Sequence, residues 1–243
     1  MHFLPTKTEN SPQSVLFAWL AHLFTATGVI WGFFSILAIF DGRWVDAFMW
    51  MGVAIFVDSF DGLIARRARV KEVAPGIDGA LLDNILDYLN YVVVPALFIF
   101  QYSETNGLLP ANLSMMAASL IMLSSAFQFT QNDAKTEDHY FKGFPSYWNA
   151  VAFYLFILNL APSLNFTIII SLVILVFVPI KYVYPSRTVR FQRLTMTLSM
   201  LWGILYAAIL LRYPVHESWL VGLSLLFVVY YIGISLYSMI SNR

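Results

Sequence analysis

The chain has 243 residues, 59% of them hydrophobic and 12% charged, with a mean hydropathy of +0.71. A soluble domain is about one quarter charged, so this balance excludes an ordinary water-soluble fold and indicates an integral membrane protein with room for about eight spans of roughly 20 residues. Formal net charge is zero and cysteine is absent, which removes the electrostatic case for nucleic acid and excludes disulfides, thiol nucleophiles and thiolate metal sites.

In chain order, residues 1–13 form a polar N-terminus with Lys7 as its only basic side chain. The apolar run that follows is too long for the core of a signal peptide, so no cleavage is expected. Apolar runs then predict eight spans, near 15–40, 44–66, 79–100, 109–130, 146–161, 163–183, 193–212 and 217–239. The first is long for a bilayer, and its start, SPQSVLFAW, suits the interface before the chain turns in. The fifth and sixth meet at Pro162-Ser163 and predict an antiparallel hairpin. The polar stretch 131–142 reads as a solvated loop. No internal repeat is visible, and residues 14–240 read as a single transmembrane catalytic domain.

Lysines and arginines test the arrangement. With eight spans, twelve fall on one side (Lys7, Arg66, Arg67, Arg69, Lys71, Lys135, Lys142, Lys181, Arg187, Arg190, Arg193, Arg243) and two, Arg43 and Arg212, on the other. The positive-inside rule therefore predicts that both termini are cytosolic.

On this topology the second span ends, and the third begins, at the cytosolic rim. Four aspartates sit there, in DSFDGLIAR (58–66) and GALLDNILD (79–87). At about 100° per residue, Asp58, Asp61, Gly62 and Ala65 share one helix face. Gly79, Asp83, Asp87 and Asn90 share a face of the next helix. Small residues allow a backbone or a bulky ligand to approach closely. Four clustered carboxylates need countercharge, and charge in a membrane marks function. Oxygen-only donors suit Mg²⁺ or Mn²⁺. Two such ions suit in-line displacement at phosphorus. The plainer alternative is that these aspartates cap helices or pair with Arg66, Arg67 and Arg69. Asp78, after Pro75-Gly76, reads as an N-cap, and Asp46 and Glu72 read as surface charges.

Asp58, Asp61, Gly62, Ala65 and Arg66, followed by Gly79, Asp83 and Asp87, form D-x-x-D-G-x-x-A-R…G-x-x-x-D-x-x-x-D. This pattern resembles the signature of the CDP-alcohol phosphotransferases. Twelve residues separate Arg66 from Gly79, where the common pattern has about eight or nine. This longer form, with VKEVAPGIDGALLDNILDYLNYVVVPA and GFPSYWNAVAFY, is similar to the bacterial branch that forms phosphatidylcholine. The resemblance implies an all-α fold with a six-helix core around a cytosol-facing cavity, a homodimer, and a place in the bacterial inner membrane. It also implies a reaction, CDP-diacylglycerol plus choline giving phosphatidylcholine and CMP. Asp58, Asp61, Asp83 and Asp87 would hold Mn²⁺ or Mg²⁺, two ions per site. Asp87 would also be the catalytic base. Gly62, Ala65 and Gly79 would make room for the nucleotide, and Arg66 would contact its phosphates.

No acceptor residues follow from the signature. Aromatic faces suit a quaternary ammonium, and Tyr88, Tyr91, Tyr147, Trp148, Tyr182 and Tyr184 lie near the rim, although interfaces collect Tyr and Trp in any case. Arg187, Arg190 and Arg193 would serve a donor phosphate, a phosphorylated acceptor such as glycerol 3-phosphate or inositol phosphate, or simple anchoring. Asn149 is read as an interhelical hydrogen-bonding group or a cavity wall. His22, His139 and His216 lack ligand spacing, and His22 reads as a packed interior residue. A cation-coupled transporter is the competing class, but such sites lie near the midplane on broken helices.

Overall fold

The computed structural model describes residues 11–134, 136, 138, 140–185, 187–189 and 191–241. Lys7, Lys135, His139, Arg190 and Arg243 lie outside the described residues. Every one of the eight apolar runs contains helix. The first run holds two, α1 (Pro12–Ala26) and α2 (Gly28–Phe40), joined at Thr27. Ser11 caps α1 by accepting from the Ser14 N–H, and Pro12 occupies the first turn, where its missing N–H has no partner to lose. The second run is α3 (Trp44–Arg67), with Arg66 and Arg67 at the carbonyl end, where cations are favoured. A single turn, α4 (Val70–Val73), leads to α5 (Gly79–Tyr88). Asp78 caps α5 as expected, accepting from the N–H groups of Ala80 and Leu81 at 3.0 Å each. α5 runs through a π-helical segment, Leu89–Val93, into α6 (Val94–Asn106). Then come α7 (Ser114–Thr130), α8 (Trp148–Leu158), α9 (Pro162–Phe177), α10 (Gln192–Arg212) and α11 (Ser218–Ser241).

Five stretches, Pro12–Phe40, Trp44–Arg67, Gly79–Asn106, Gln192–Arg212 and Ser218–Met239, are long and apolar enough to cross a membrane. Three further apolar helices are shorter, with 17, 11 and 16 residues in α7, α8 and α9. At 1.5 Å per residue α8 covers about 16 Å, roughly half a bilayer core. It is apolar almost all round, and Trp148, Ala152, Phe153, Leu155, Phe156 and Ile157 are buried, which is the setting of a core helix.

That core is aromatic. Phe48 on α3 lies 4.5 Å, centroid to centroid, from Phe98 on α6 and 5.2 Å from Phe156 on α8. The Tyr206 hydroxyl of α10 donates to the Phe48 carbonyl at 2.6 Å. Lipid tails are as apolar as these side chains, so close packing and hydrogen bonds hold the helices together here. Outward, Leu16, Phe56, Phe127, Ile204, Leu226 and Val229 are exposed. Apolar surface on this scale marks a lipid-facing exterior.

Three expectations are corrected. Residues 140–142, read as loop, and 181–183, read as helix, form a two-stranded antiparallel ribbon, β1 (Tyr140–Lys142) and β2 (Lys181–Val183), with Phe141 opposite Tyr182. The sixth run leaves the helix at Phe177, and β2 is fixed instead by the Val183 N–H donating to Ser235 Oγ at 3.1 Å. The Pro162-Ser163 hairpin does not form along its helices, because α9 packs on α7. Asn159, in the left-handed region at φ 45°, turns the chain. The buried Asn165 then donates to the Leu108 carbonyl at 2.9 Å, a partner that only the α6–α7 connection supplies.

The ribbon leads into α8 through Gly143. This residue has φ +80°, and a Cβ there would stand 2.1 Å from the Val176 carbonyl oxygen. Only glycine fits both conditions. Gly143→Ala is expected to cost about 3 kcal/mol or more through backbone strain and overlap, read as a lowered unfolding temperature in detergent. Gly222→Ala, where a Cβ meets nothing within 4 Å, should leave that temperature unchanged or slightly raised.

Candidate active site

The two rods carrying the aspartates, α3 and 79–106, approach each other at one end of the bundle. Asp58, Asp83 and Asp87 each offer a carboxylate oxygen such that the three lie within 4.8 Å of one another, and all three residues are half-buried. Asp61, one turn along α3, is buried and lines the same pocket. The spacing places them this way because positions 83 and 87 are four apart on one helix, and 58 and 61 are three apart on the other. Hard oxygen donors converging at this separation fit a divalent cation of the Mg²⁺ or Mn²⁺ kind. Among the described residues this is the one group of acidic or imidazole side chains with that convergence.

Two contacts set the position of the aspartate-bearing rods. The Tyr91 hydroxyl donates to Asp58 Oδ2 at 2.7 Å, crossing from one rod to the other. Asn90, buried in the π-helical segment, donates from Nδ2 to the Gly28 carbonyl at 3.1 Å. Its Oδ1 lies against α2 where Gly32 leaves room, since a Cβ at 32 would stand 2.5 Å away. Gly28 and Gly32 thus form a small-residue face that lets α2 reach the π-helical segment. A π-helical turn widens the helix and is frequent at functional sites. Here the widened segment supplies Asn90 and Tyr91 to the pocket wall beside Asp87.

The other site residues divide. Arg66 is exposed and lies back along α3, with Nη1 3.1 Å from the point a Cβ at Gly62 would occupy. Gly79 faces His22, whose Cε1 is 3.1 Å from the corresponding point. His22 is buried in α1 as read from the sequence, and Ala65 packs beside the small cluster of Ala18, Ala21 and Ala68. Glu72 pairs with Arg69, and Asp46 with Arg43 at 2.6 Å, all with exposed side chains. Arg187 and Arg193 are exposed and are not among the residues lining the pocket.

Of the aromatic candidates, Tyr88 is used in packing, donating to the Met122 carbonyl at 2.9 Å. Trp148 is fully buried and donates to Ser125 Oγ at 2.8 Å. Asn149 is buried, with Oδ1 accepting from the Ala150 N–H at 2.8 Å. Tyr91 lines the pocket, and Tyr147 stands behind it with the two rings 6.1 Å apart. Thr25 and Gly28 also line the pocket. The sequence reading missed both, because each lies in a run that reads only as greasy helix. The one available signal was the small-residue spacing of Gly28 and Gly32.

Comparison with known proteins agrees with this geometry. The family profile described as CDP-alcohol phosphatidyltransferase matches residues 18–230. The chain is 41% identical to a phosphatidylcholine synthase of Legionella pneumophila, over 96% of this chain and 92% of that protein. It is 35% identical to a phosphatidylcholine synthase of Pseudomonas aeruginosa, over 96% and 97%. A phosphatidylcholine synthase of Mesorhizobium japonicum is 40% identical, over 82% and 72%.

Asp58→Asn, Asp83→Asn and Asp87→Asn should each weaken Mn²⁺ binding at least about tenfold, the loss of one charged donor from a small oxygen site, by calorimetry in detergent. Asp46→Asn should leave it unchanged. Gly32→Ala should cost about 1–3 kcal/mol of stability through the collision with Asn90, measured by thermal unfolding.

Proposed function

Because this chain belongs to the CDP-alcohol phosphatidyltransferase family, we propose that it transfers the phosphatidyl group of CDP-diacylglycerol to choline, giving phosphatidylcholine and CMP. The observation that carries the reading is the convergence of Asp58, Asp83 and Asp87 within 4.8 Å, at the positions where the family signature has its aspartates. The relatives named phosphatidylcholine synthase cover nearly the whole chain, which supports choline as the acceptor and residues 14–240 as one catalytic unit.

In this reading Asp58, Asp61, Asp83 and Asp87 hold divalent cation, Mn²⁺ or Mg²⁺, with two ions per site. When bound, the metal neutralises the diphosphate and the charge that builds on the departing CMP. Asp87 accepts the proton of the choline hydroxyl, whose oxygen attacks the phosphorus bearing diacylglycerol. The bond from that phosphorus to the bridging oxygen breaks, and CMP departs opposite the attack. A carboxylate within hydrogen-bond reach of the hydroxyl is the required base. Tyr91 orients Asp58 through its hydrogen bond, and Asn90 holds the wall beside Asp87 against α2. Gly62, Ala65 and Gly79 give the nucleotide access to this end of the bundle, and Arg66, free to swing from an exposed position, meets its phosphates.

A phosphorylated acceptor would call for a basic pocket. The described residues lining the pocket include no lysine or arginine, which favours an uncharged hydroxyl on a cationic alcohol. The charge asymmetry supports eight spans with both termini cytosolic and an active site open to the cytosol, and the family resemblance implies a six-helix core and a bacterial inner membrane. The family resemblance adds a homodimer. Lipid tails then stay in the bilayer while choline and CMP exchange with water.

The test is CMP release by purified protein given CDP-diacylglycerol, Mn²⁺ and, separately, choline, serine, glycerol 3-phosphate or inositol phosphate. Release with choline alone is expected, and release with only a phosphorylated acceptor would overturn the choline reading. Asp87→Asn should lower turnover about a thousandfold, the scale of lost general-base catalysis, while the variant still binds CDP-diacylglycerol.

A further inference from the structure

The ribbon that the sequence concealed brings a set of rings to the edge of the carboxylate pocket. Tyr147, in the turn between β1 and α8, is their hub. Its ring lies 6.1 Å from Tyr91, 6.2 Å from Phe141 of β1 and 6.2 Å from Tyr231 of α11. Behind these, Tyr184 stacks on Phe141 at 4.5 Å, and Tyr182 lies nearly parallel to Tyr231 at 6.4 Å. Tyr91, Tyr147 and Tyr231 are half-buried. They come from three separate parts of the chain, so no single amphipathic stripe accounts for their meeting.

The set is continuous with the reaction centre. Tyr91 donates to Asp58 and stands one turn beyond Asp87 on the same rod. An acceptor whose hydroxyl reaches Asp87 therefore lies beside the Tyr91 ring, which lines the same pocket and leads to Tyr147. The two lysines of the ribbon do not compete for that space, since Lys142 is salt-bridged to Asp133 at 2.5 Å and Lys181 to Asp138 at 2.6 Å.

We infer that the rings of Tyr91, Tyr147 and Tyr231, backed by Phe141, seat the quaternary ammonium end of the acceptor alcohol. The inference rests on the choline reading above and supplies the binding residues that reading lacks. A trimethylammonium group donates no hydrogen bonds and is recognised through the negative faces of aromatic rings. Tyrosine hydroxyls that hydrogen-bond elsewhere, as Tyr91 does to Asp58 and Tyr231 to the Val183 carbonyl at 2.9 Å, fix the rings in place before the ligand arrives. Preorganisation of this kind lowers the cost of binding.

Ring fluorination tests the seat, because it drains the negative face and leaves the shape nearly unchanged. Tyr147→Phe should keep the choline KM within about threefold, since the ring remains. A series at position 147 carrying one, two and three fluorines on that phenylalanine should raise the choline KM stepwise, about tenfold in all, the scale of losing one desolvated cation–π contact. Turnover at saturation and the KM for CDP-diacylglycerol should stay constant. A flat choline KM across the series, or an equal rise in both KM values, would overturn the seat. The same series at position 231, on another helix, decides the matter if the variants at 147 do not fold. Wild-type protein that releases no CMP with choline overturns the underlying reading, whereas an active enzyme with a flat series overturns the seat alone.

Discussion

Holding three carboxylates within 4.8 Å of one another in a largely apolar protein is the constraint on which the rest depends. Like charges at that separation repel strongly where the surroundings polarise poorly. The helices bearing them would part unless fixed elsewhere. Two restraints do this from opposite directions. Away from the site, Phe48, Phe98 and Phe156 lock α3 to α6 and α8. Beside it, Asn90 ties the π-helical segment to the Gly28 carbonyl, and Tyr91 ties Asp58 across the gap. The site is thus clamped at both ends of the rods that form it, as a preorganised cation site requires.

Much of this was legible in the chain. The four aspartates, their helix faces, the cap at Asp78 and the helical character of all eight apolar runs follow from spacing and composition. Asp58, Asp83 and Asp87 meet because period 3.6 dictates which side chains share a face. Asp61 shares their pocket without joining the tightest triad, a distinction finer than a helical wheel resolves. The family resemblance rested on the same residues and agrees with the profile match and the full-length relatives.

What escaped the sequence has a common cause. In a membrane protein nearly every segment is apolar, so hydropathy marks helices but does not rank their burial. Position in the sequence set Trp148 near the rim without separating an anchor from a core packer, and it is a core residue whose indole donates to Ser125 inside the bundle. The short connection before α9 suggested α8 as its partner, yet α9 packs on α7, with the buried Asn165 bonded to the Leu108 carbonyl. The ribbon depends on residues 140–142 meeting 181–183, a long-range pairing that no local pattern announces. Tyr231 was invisible for the same reason, as one aromatic among many in an apolar helix.

The short buried helix α8 bears on how this protein is built. Eleven residues give about 16 Å of helix, too little to stand alone in a bilayer core of about 30 Å. Unaccompanied, its ends would leave backbone groups without partners in hydrocarbon. It therefore has no stable existence before α6 and the π-helical segment, against which it packs, are in the membrane. Assembly must then bring α8 in against α6 and the π-helical segment already in place. Lesions along α8 then reduce how many molecules mature and are passed by the cell's quality control.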